Sequence, residues 1–150
     1  MTHDDLLAEA EIRNLAYAFS DAVNRADAAA LTALWTADGL WLIDLPMGVS
    51  ARGAPDIAKL FGDLMGAWRF FHQISNQGPI AVTGETARAR MYVHEIGIFA
   101  DGRTHRNWGE YVDRYRRVDG RWLYVERHYH FLYVDGPPMT PDLLGVAIEE

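Results

Sequence analysis

The chain contains no cysteine among its 150 residues. This absence excludes disulfide bonds, thiol nucleophiles and thiolate metal ligands, and it fits a reducing compartment. Basic residues are also scarce, with 14 Lys and Arg against 21 Asp and Glu and a net charge of -7. A negative balance argues against electrostatic binding to nucleic acid or to anionic membranes. We therefore expect neither nucleic acid nor a membrane among the partners.

Long apolar runs are missing as well. No stretch approaches the roughly 20 apolar residues that a membrane-spanning helix needs. The N-terminal segment MTHDDLLAEAEIRN is acidic and lacks the apolar region of a secretory signal, so we expect a cytoplasmic protein. A chain of 150 residues that is 49% hydrophobic is ordinary for one globular domain. We assign residues 1–150 to a single domain.

Helical periodicity marks the first part of the chain. An apolar stripe at helical spacing predicts a first helix that ends near Asn24. Asp27 is a suitable N-cap for a second helix over residues 28–36, and Pro55 fits the first turn of a third. The first stripe consists of Ala8, Ile12, Leu15, Ala16, Phe19 and Val23.

The pattern changes to strands between and after these helices. Residues 39–53 predict a short strand pair with its turn at Pro46 and Gly48. From Trp68 onward, β-branched and aromatic residues with Asp-Gly turns predict four long antiparallel strands. Separate helices and strands indicate an α+β fold, in which a curved antiparallel sheet and three helices enclose an apolar pocket. The Pro-rich residues 135–150 predict a surface tail.

This order of elements resembles the SnoaL-like group of the nuclear transport factor 2-like superfamily over roughly residues 8–134. The motifs that carry the resemblance are VNRAD, LTALWTADGLW, HQISN, GEYVDRYRRVDGRW and VER. The resemblance implies a cone-shaped α+β fold whose pocket binds a small apolar or aromatic molecule. The superfamily includes dehydratases, dehydrochlorinases, isomerases, polyketide cyclases and pure binding modules, so the activity depends on the pocket residues.

His72 is the leading catalytic candidate. It lies in WRFFHQISN and matches the histidine that serves as general base in related dehydratases and dehydrochlorinases. An imidazole exchanges protons near neutral pH, and the aromatic side chains of Trp68, Phe70 and Phe71 would favour its neutral form. The alternative is a core histidine bonded to a backbone carbonyl.

The expected partners of this histidine are altered in the chain. The resemblance places a carboxylate at the end of the first helix, where this sequence has Asn24. An amide can orient an imidazole, but it carries no charge to stabilise the protonated ring. Phe19 stands where relatives carry a tyrosine. A member that binds a ligand without catalysis is therefore an open alternative.

Asp44 is the second catalytic candidate. The stretch ADGLWLIDLPMG resembles the part of ketosteroid isomerase that carries its proton-shuttling aspartate, and Asp44 occupies the matching position. This assignment implies an isomerase or polyketide cyclase activity. The alternative is a residue that initiates the turn before Leu45 and Pro46.

Further residues complete the predicted site. We expect substrate contacts from Phe19, Trp41, Asn76, Asn107 and Tyr111, with space left by Gly109, and an ion-pair set from Asp113, Arg114 and Arg127. His128 and His130 share a strand face, but no third metal ligand is evident in the sequence. We expect no metal and no cofactor. An apolar face formed by Tyr129, Phe131 and Tyr133 predicts a homo-oligomer, dimer or trimer.

These assignments favour a cofactor-independent lyase or dehydratase that acts on a small, mostly apolar ring compound. His72 would act as general base, with Asn24 orienting its ring. The isomerase or cyclase that uses Asp44 and the non-catalytic binding protein are the alternatives.

Overall fold

A computed structural model describes residues 1–144 of the chain, with helices around a single sheet. The helices are α1 (His3–Asn24), α2 (Ala28–Thr32) and α3 (Ala54–Gly66), and a short 3-10 helix spans Pro141–Leu144. The strands are β1 (Trp35–Ile43), β2 (Val49–Arg52), β3 (Trp68–Thr83), β4 (Thr86–Phe99), β5 (Thr104–Val118) and β6 (Arg121–Asp135). Part of the predicted tail, residues 145–150, lies outside the described residues.

The helix starts follow their capping residues. Thr2 and Asp5 form a reciprocal capping box at the start of α1. The Asp27 side chain accepts a 2.9 Å hydrogen bond from the Ala30 N–H, as its N-cap assignment predicts. The second helix is shorter than the predicted 28–36. It ends early because the chain joins the sheet, where the Tyr124 N–H donates a 2.9 Å hydrogen bond to the Leu34 carbonyl.

The sheet has six strands in the order β2-β1-β6-β5-β4-β3. The strands β3 to β6 form the predicted antiparallel meander. The pair β1 and β6 is parallel, so the expectation of a purely antiparallel sheet is wrong. No hairpin joins these two strands, and their relative direction is therefore set by the path of the chain through α3 and the meander. The predicted α+β cone, a curved sheet with three helices, is confirmed.

Burial alternates along the strands and gives the sheet two different faces. In β4, Ala87, Ala89, Met91, Val93 and Glu95 are buried, whereas the residues between them are exposed. The buried face packs against α1 and α3 and forms the core. The opposite face is called the outer sheet face below. It carries the exposed large side chains of Phe70, Ile74, Tyr92, Ile96, Trp108 and Tyr133.

The apolar face predicted in β6 is split between the two sides of the sheet. Tyr129 is buried and Phe131 is half-buried toward the core, whereas Tyr133 is 61% exposed on the outer sheet face. The expectation that the three share one face is wrong because of a bulge at Leu132. Trp108 pairs with Tyr133 and Gly109 pairs with Phe131, so Leu132 is the extra residue on β6.

Among the described residues, no helix is both long and apolar enough to cross a membrane.

Candidate active site

An apolar pocket lies between the inner face of the sheet and the helices. Its free space is only about 40 Å³, enough for a few water molecules. The wall is mostly aliphatic and aromatic, and its lining residues are Val23, Trp41, Ile43, Phe61, Leu64, Met65, Trp68, Phe71, Gln73, Glu95, Tyr111, Tyr129, Phe131 and Met139. The C-terminal segment contributes Met139, which is 6% exposed, so the prediction that this segment runs over the surface is wrong for that residue.

Glu95 is the carboxyl group in this wall. It lies in the middle of β4 and is 6% exposed. Burial raises the pKa of Glu95, although hydrogen bonds from Gln73, Asn107 and Tyr129 act in the opposite direction. A raised pKa makes the ionised carboxylate a stronger base than an exposed one, so it can take a proton from a bound molecule and release it again.

Two amide side chains hold Glu95 in place. The Gln73 amide nitrogen donates to Glu95 Oε1 at 3.0 Å, and the Asn107 amide nitrogen lies 3.4 Å from Glu95 Oε2. On the far side of Gln73, the Ser20 hydroxyl donates to Gln73 Oε1 at 2.8 Å. This chain of bonds fixes the orientation of both amides and leaves the carboxyl group with little rotational freedom.

The same network extends to the C-terminal segment. His105 Nε2 lies 3.0 Å from the Asn107 amide nitrogen, and His105 Nδ1 lies 2.6 Å from the Pro137 carbonyl oxygen. His105 is fully buried, and burial lowers its pKa. A neutral imidazole that donates from Nδ1 to Pro137 can accept from Asn107 at Nε2. The segment that carries Met139 is therefore tied to the residues that support Glu95.

Tyr129 completes the polar side of the pocket. Its hydroxyl donates to Asn107 Oδ1, and burial together with the nearby Glu95 raises its pKa, so the phenol stays protonated. Gly109 makes room for this ring, because a Cβ atom at that position would collide with the Tyr129 hydroxyl. The predicted space at Gly109 is thus filled by Tyr129.

A buried ion pair supports the pocket from behind. The Arg127 guanidinium donates two hydrogen bonds to Asp113, at 2.8 and 3.0 Å, and neither side chain is exposed. Aromatic rings surround the guanidinium, with its Cζ atom 3.6 Å from the Tyr111 ring centroid and 4.3 Å from that of Phe19. Phe19 therefore covers Arg127 and packs edge-on against Trp41. The predicted ion pair of Asp113 and Arg127 is present, whereas Arg114 is exposed.

The structure does not place His72 in the pocket. Residues on a strand alternate between faces, and Phe71 and Gln73 are the ones that line the pocket. His72 therefore points to the outer sheet face, where its ring is stacked parallel to that of Phe70, which is 50% exposed. The expectation of a dry aromatic enclosure for His72 is wrong. Asn76 is exposed on the same face and also lies outside the pocket.

Asn24 makes a backbone contact instead of orienting an imidazole. Its side-chain oxygen accepts a 2.7 Å hydrogen bond from the Gln73 N–H, and its nitrogen donates to the Gln73 carbonyl at 2.9 Å. The expected contact with the His72 ring is therefore not formed. This bidentate contact instead fixes the end of α1 against β3 beside Gln73.

Asp44 is on the surface, outside the pocket. Its side chain is 49% exposed and contacts His128 and His130 on β6. Hydrogen bonds from His128 and His130 lower the pKa of Asp44. The expectation that Asp44 faces the substrate is wrong. Adjacent residues of an extended chain point to opposite faces, and Asp44 directly follows Ile43, whose side chain lines the pocket.

The other four predicted substrate contacts lie in or behind the pocket wall. Trp41 and Tyr111 line the pocket. Asn107 is fully buried behind Glu95, and Phe19 lies behind Trp41 and Tyr111. The sequence pattern did not indicate Glu95 and Gln73 as pocket residues, and it placed Tyr129 on an apolar face for oligomer contacts instead of in the pocket. A signal for Glu95 was present, because it continues the alternate apolar positions of Met91 and Val93 in TARARMYVHEIGIF.

The curved sheet, the helices on its inner face and the enclosed apolar pocket define a nuclear transport factor 2-like fold. A family model for the SnoaL-like domain matches residues 4–128. The chain belongs to the SnoaL-like family. No curated protein matches the chain in sequence.

Several solved structures share this fold. A candidate scytalone dehydratase from Novosphingobium aromaticivorans is 20% identical, with 93% of each chain covered and a TM-score of 0.83. A hexachlorocyclohexane dehydrochlorinase (LinA type 2) is 18% identical, with 90% of this chain and 92% of the other covered and a TM-score of 0.83. A ketosteroid isomerase-like protein from Erwinia carotovora is 20% identical, with 83% and 95% covered and a TM-score of 0.75. These likenesses, each at 20% identity or below, establish the fold alone.

Proposed function

We propose that the protein is a cofactor-independent lyase that eliminates a small leaving group from a mostly apolar ring compound. In this proposal Glu95 is the catalytic residue that exchanges the proton. The observation that carries it is a buried carboxyl group in an otherwise apolar pocket wall, held by two amides. The names of the related folds, a dehydrochlorinase and a candidate dehydratase, support the same class of reaction.

The elimination balances with this one carboxyl group. Ionised Glu95 takes a proton from a ring carbon, and the C–H electron pair becomes the new double bond. The bond from the adjacent carbon to the leaving group breaks, and the leaving group departs with its electron pair as hydroxide or chloride. Glu95 then gives its proton to hydroxide to form water, or to solvent when chloride leaves. The neutral phenol of Tyr129 supports the carboxylate through Asn107.

The pocket must widen before it admits a ring. An engineered cavity of roughly 150 Å³ binds benzene, whereas the free space here is about 40 Å³. Two flexible methionine side chains, Met65 and Met139, form part of the wall. Displacement of Met139 with the C-terminal segment would open the pocket toward solvent. We therefore expect a small substrate and a C-terminal segment that moves on binding.

The first experiment compares Glu95→Gln with the wild type on hexachlorocyclohexane, scytalone and a ketosteroid with an unconjugated double bond. Glutamine keeps the size of the side chain but cannot accept the proton, and only its one oxygen can accept a hydrogen bond where both Glu95 oxygens now do. We expect a loss of at least about 100-fold in turnover of whichever compound reacts, the usual scale for a general base. Unchanged turnover in Glu95→Gln would exclude Glu95 as the base.

Two control variants separate this proposal from the earlier assignments. His72→Ala and Asp44→Asn change side chains outside the pocket, so both should retain wild-type turnover. A large loss in His72→Ala would restore the histidine as base, and a large loss in Asp44→Asn would favour the isomerase or cyclase alternative. Catalytic roles for His72 and Asp44 stay predictions until these variants are measured, and a role for Asn24 also stays a prediction.

A ligand-binding protein without catalysis is the second candidate. Glu95 already has hydrogen-bond partners on both carboxyl oxygens, as in a purely structural network. Binding of a ring compound that is recovered unchanged, with equal affinity in the wild type and Glu95→Gln, would favour this function.

The cytoplasmic location and the homo-oligomer also stay predictions.

A further inference from the structure

Three potential metal ligands meet at the edge of the outer sheet face, away from the pocket. Asp44 Oδ1 lies 3.1 Å from His128 Nε2, and Asp44 Oδ2 lies 2.8 Å from His130 Nδ1. The donor atoms of all three residues lie within 4.8 Å of one another. The two imidazole rings lie side by side with their centroids 4.0 Å apart. The tertiary structure thus provides the third ligand that the sequence pattern lacked.

The backbone holds the carboxylate in this position. The Asp44 N–H donates a 3.0 Å hydrogen bond to the carbonyl of Tyr129, the residue between the two histidines. The Asp44 carbonyl accepts hydrogen bonds from the N–H groups of Met47 and Gly48, at 3.1 and 3.0 Å. Asp44 is therefore fixed at both its amide and its carbonyl, and the parallel pairing of β1 with β6 sets its register against the histidines.

From this arrangement we infer that Asp44, His128 and His130 form a binding site for one divalent transition-metal ion, with zinc as the best-fitting ion. A zinc ion with bonds of 2.0–2.2 Å places its ligands roughly 3.4 Å apart in a tetrahedron. The Asp44 oxygens lie 3.1 Å from the His128 nitrogen and 2.8 Å from the His130 nitrogen, so a modest outward movement of the three side chains would reach that separation. The ion would replace the two hydrogen bonds between Asp44 and the imidazoles.

The ligand set selects the class of metal. Two imidazole nitrogens and one carboxylate oxygen suit zinc, cobalt, nickel or copper, whereas magnesium and calcium prefer oxygen ligands alone. The side chains are 49% exposed for Asp44, 31% for His128 and 32% for His130, so an ion can enter from solvent. Three protein ligands leave at least one coordination position for water or another small ligand.

A shallow surface cavity adjoins this open position. Asp44 and His128 form part of its wall, together with Leu45, Gly48 and Ser50, and its volume is about 230 Å³. A small anion or water on the metal would have space there. The site is separate from the Glu95 pocket, and its inference does not depend on the proposed lyase activity.

The test titrates Zn²⁺, Ni²⁺ and Mg²⁺ into the full chain by isothermal calorimetry, after chelator treatment and without a polyhistidine tag. We expect one Zn²⁺ or Ni²⁺ per chain and no comparable binding of Mg²⁺. Asp44→Asn, His128→Gln and His130→Gln should each weaken Zn²⁺ binding at least about ten-fold, since a ligand is lost from a three-ligand site. The visible absorption of bound Co²⁺ should indicate four or five ligands.

His94→Gln is the matched control. His94 is also on the sheet, but it is stacked on Trp108 and belongs to no group of three potential ligands among residues 1–144. This variant should bind Zn²⁺ like the wild type. Zn²⁺ should also raise the melting temperature of the wild type and of His94→Gln, but not that of the double variant His128→Gln/His130→Gln.

Two results would overturn the inference. One is a wild-type Zn²⁺ affinity no greater than that of the double variant. The other is an equal loss of affinity in His94→Gln and in the ligand variants, which would indicate non-specific binding to surface histidines. Thermal unfolding without metal shows whether each variant is folded before its affinity is compared.

Discussion

The Gln73 amide nitrogen donates a 3.0 Å hydrogen bond to Glu95 Oε1 across the paired strands β3 and β4. Both side chains are buried, and both form part of the pocket wall. A neutral donor satisfies the carboxyl group without supplying a compensating positive charge. The carboxyl group therefore stays easy to protonate, which is the property that a proton-exchanging residue needs.

Glu95→Gln should make stability less dependent on pH. Burial raises the pKa of Glu95 in the folded protein, whereas the unfolded carboxyl ionises near its ordinary value of about 4.3. Above that value the unfolded state loses a proton that the folded state retains, so wild-type stability falls as pH rises toward the folded pKa. Glu95→Gln has no such carboxyl group. Its free energy of unfolding relative to that of the wild type should therefore increase from about pH 4 upward.

Urea unfolding of both proteins at a series of pH values measures this difference. Below the pKa of the unfolded state, both the folded and the unfolded protein hold the proton. The carboxyl group then does not make the free energy of unfolding depend on pH. A wild type that gains stability relative to Glu95→Gln as pH rises would show that Glu95 has a lowered pKa, contrary to its burial.

Gly109→Ala should destabilise the protein and disturb the pocket. The added Cβ atom would collide with the Tyr129 hydroxyl, which bonds to Asn107. Overpacking of a buried site costs about 1–3 kcal/mol. Urea or thermal unfolding measures the loss. Gly62→Ala is the control, because it lies within α3 with no atom within 4 Å of the new Cβ, and it should stabilise the helix by about 0.5–1 kcal/mol.

Asp113→Ala should be strongly destabilising. It leaves the fully buried Arg127 guanidinium without its carboxylate, a change that costs about 3–5 kcal/mol. The same truncation in the exposed pair of Arg106 and Asp135, whose side chains are 50% and 45% exposed, should cost much less. Similar losses for Asp113→Ala and Asp135→Ala in urea unfolding would contradict the assigned role of the buried pair.

Trp108→Glu should shift the protein toward monomer. The outer sheet face exposes Trp108 at 38% and Tyr133 at 61%, with their rings 5.4 Å apart, and such faces are commonly covered by a partner. Light scattering coupled to size exclusion should show an oligomer for the wild type. Tyr17→Glu is the matched control, since Tyr17 is 47% exposed on α1, away from the sheet. A monomeric wild type at micromolar concentration would refute the predicted homo-oligomer.

The sequence by itself determined the elements and the fold. Apolar periodicity, the Asp27 cap, Pro55 and the Asp-Gly turns are local signals, and each acts within a few residues of where it occurs. These signals predicted three helices, the long strands β3 to β6 and an α+β fold with a curved sheet, whereas the cone shape was implied by the family resemblance. The length of α2 was misjudged because the contact that ends it, between Leu34 and Tyr124, joins distant parts of the chain.

Only the tertiary structure decided which side chains reach the pocket. On a strand, a shift of one residue moves a side chain to the opposite face, so motif similarity at WRFFHQISN did not distinguish His72 from Gln73. Glu95 is a candidate because its side chain lies on the inner face of β4, which the sequence alone did not specify. Asp44 joined His128 and His130 only through the parallel pairing of β1 and β6, across sequence separations of 84 and 86 residues. Strand phase and long-range register depend on packing of the whole sheet, and a local sequence pattern contains neither.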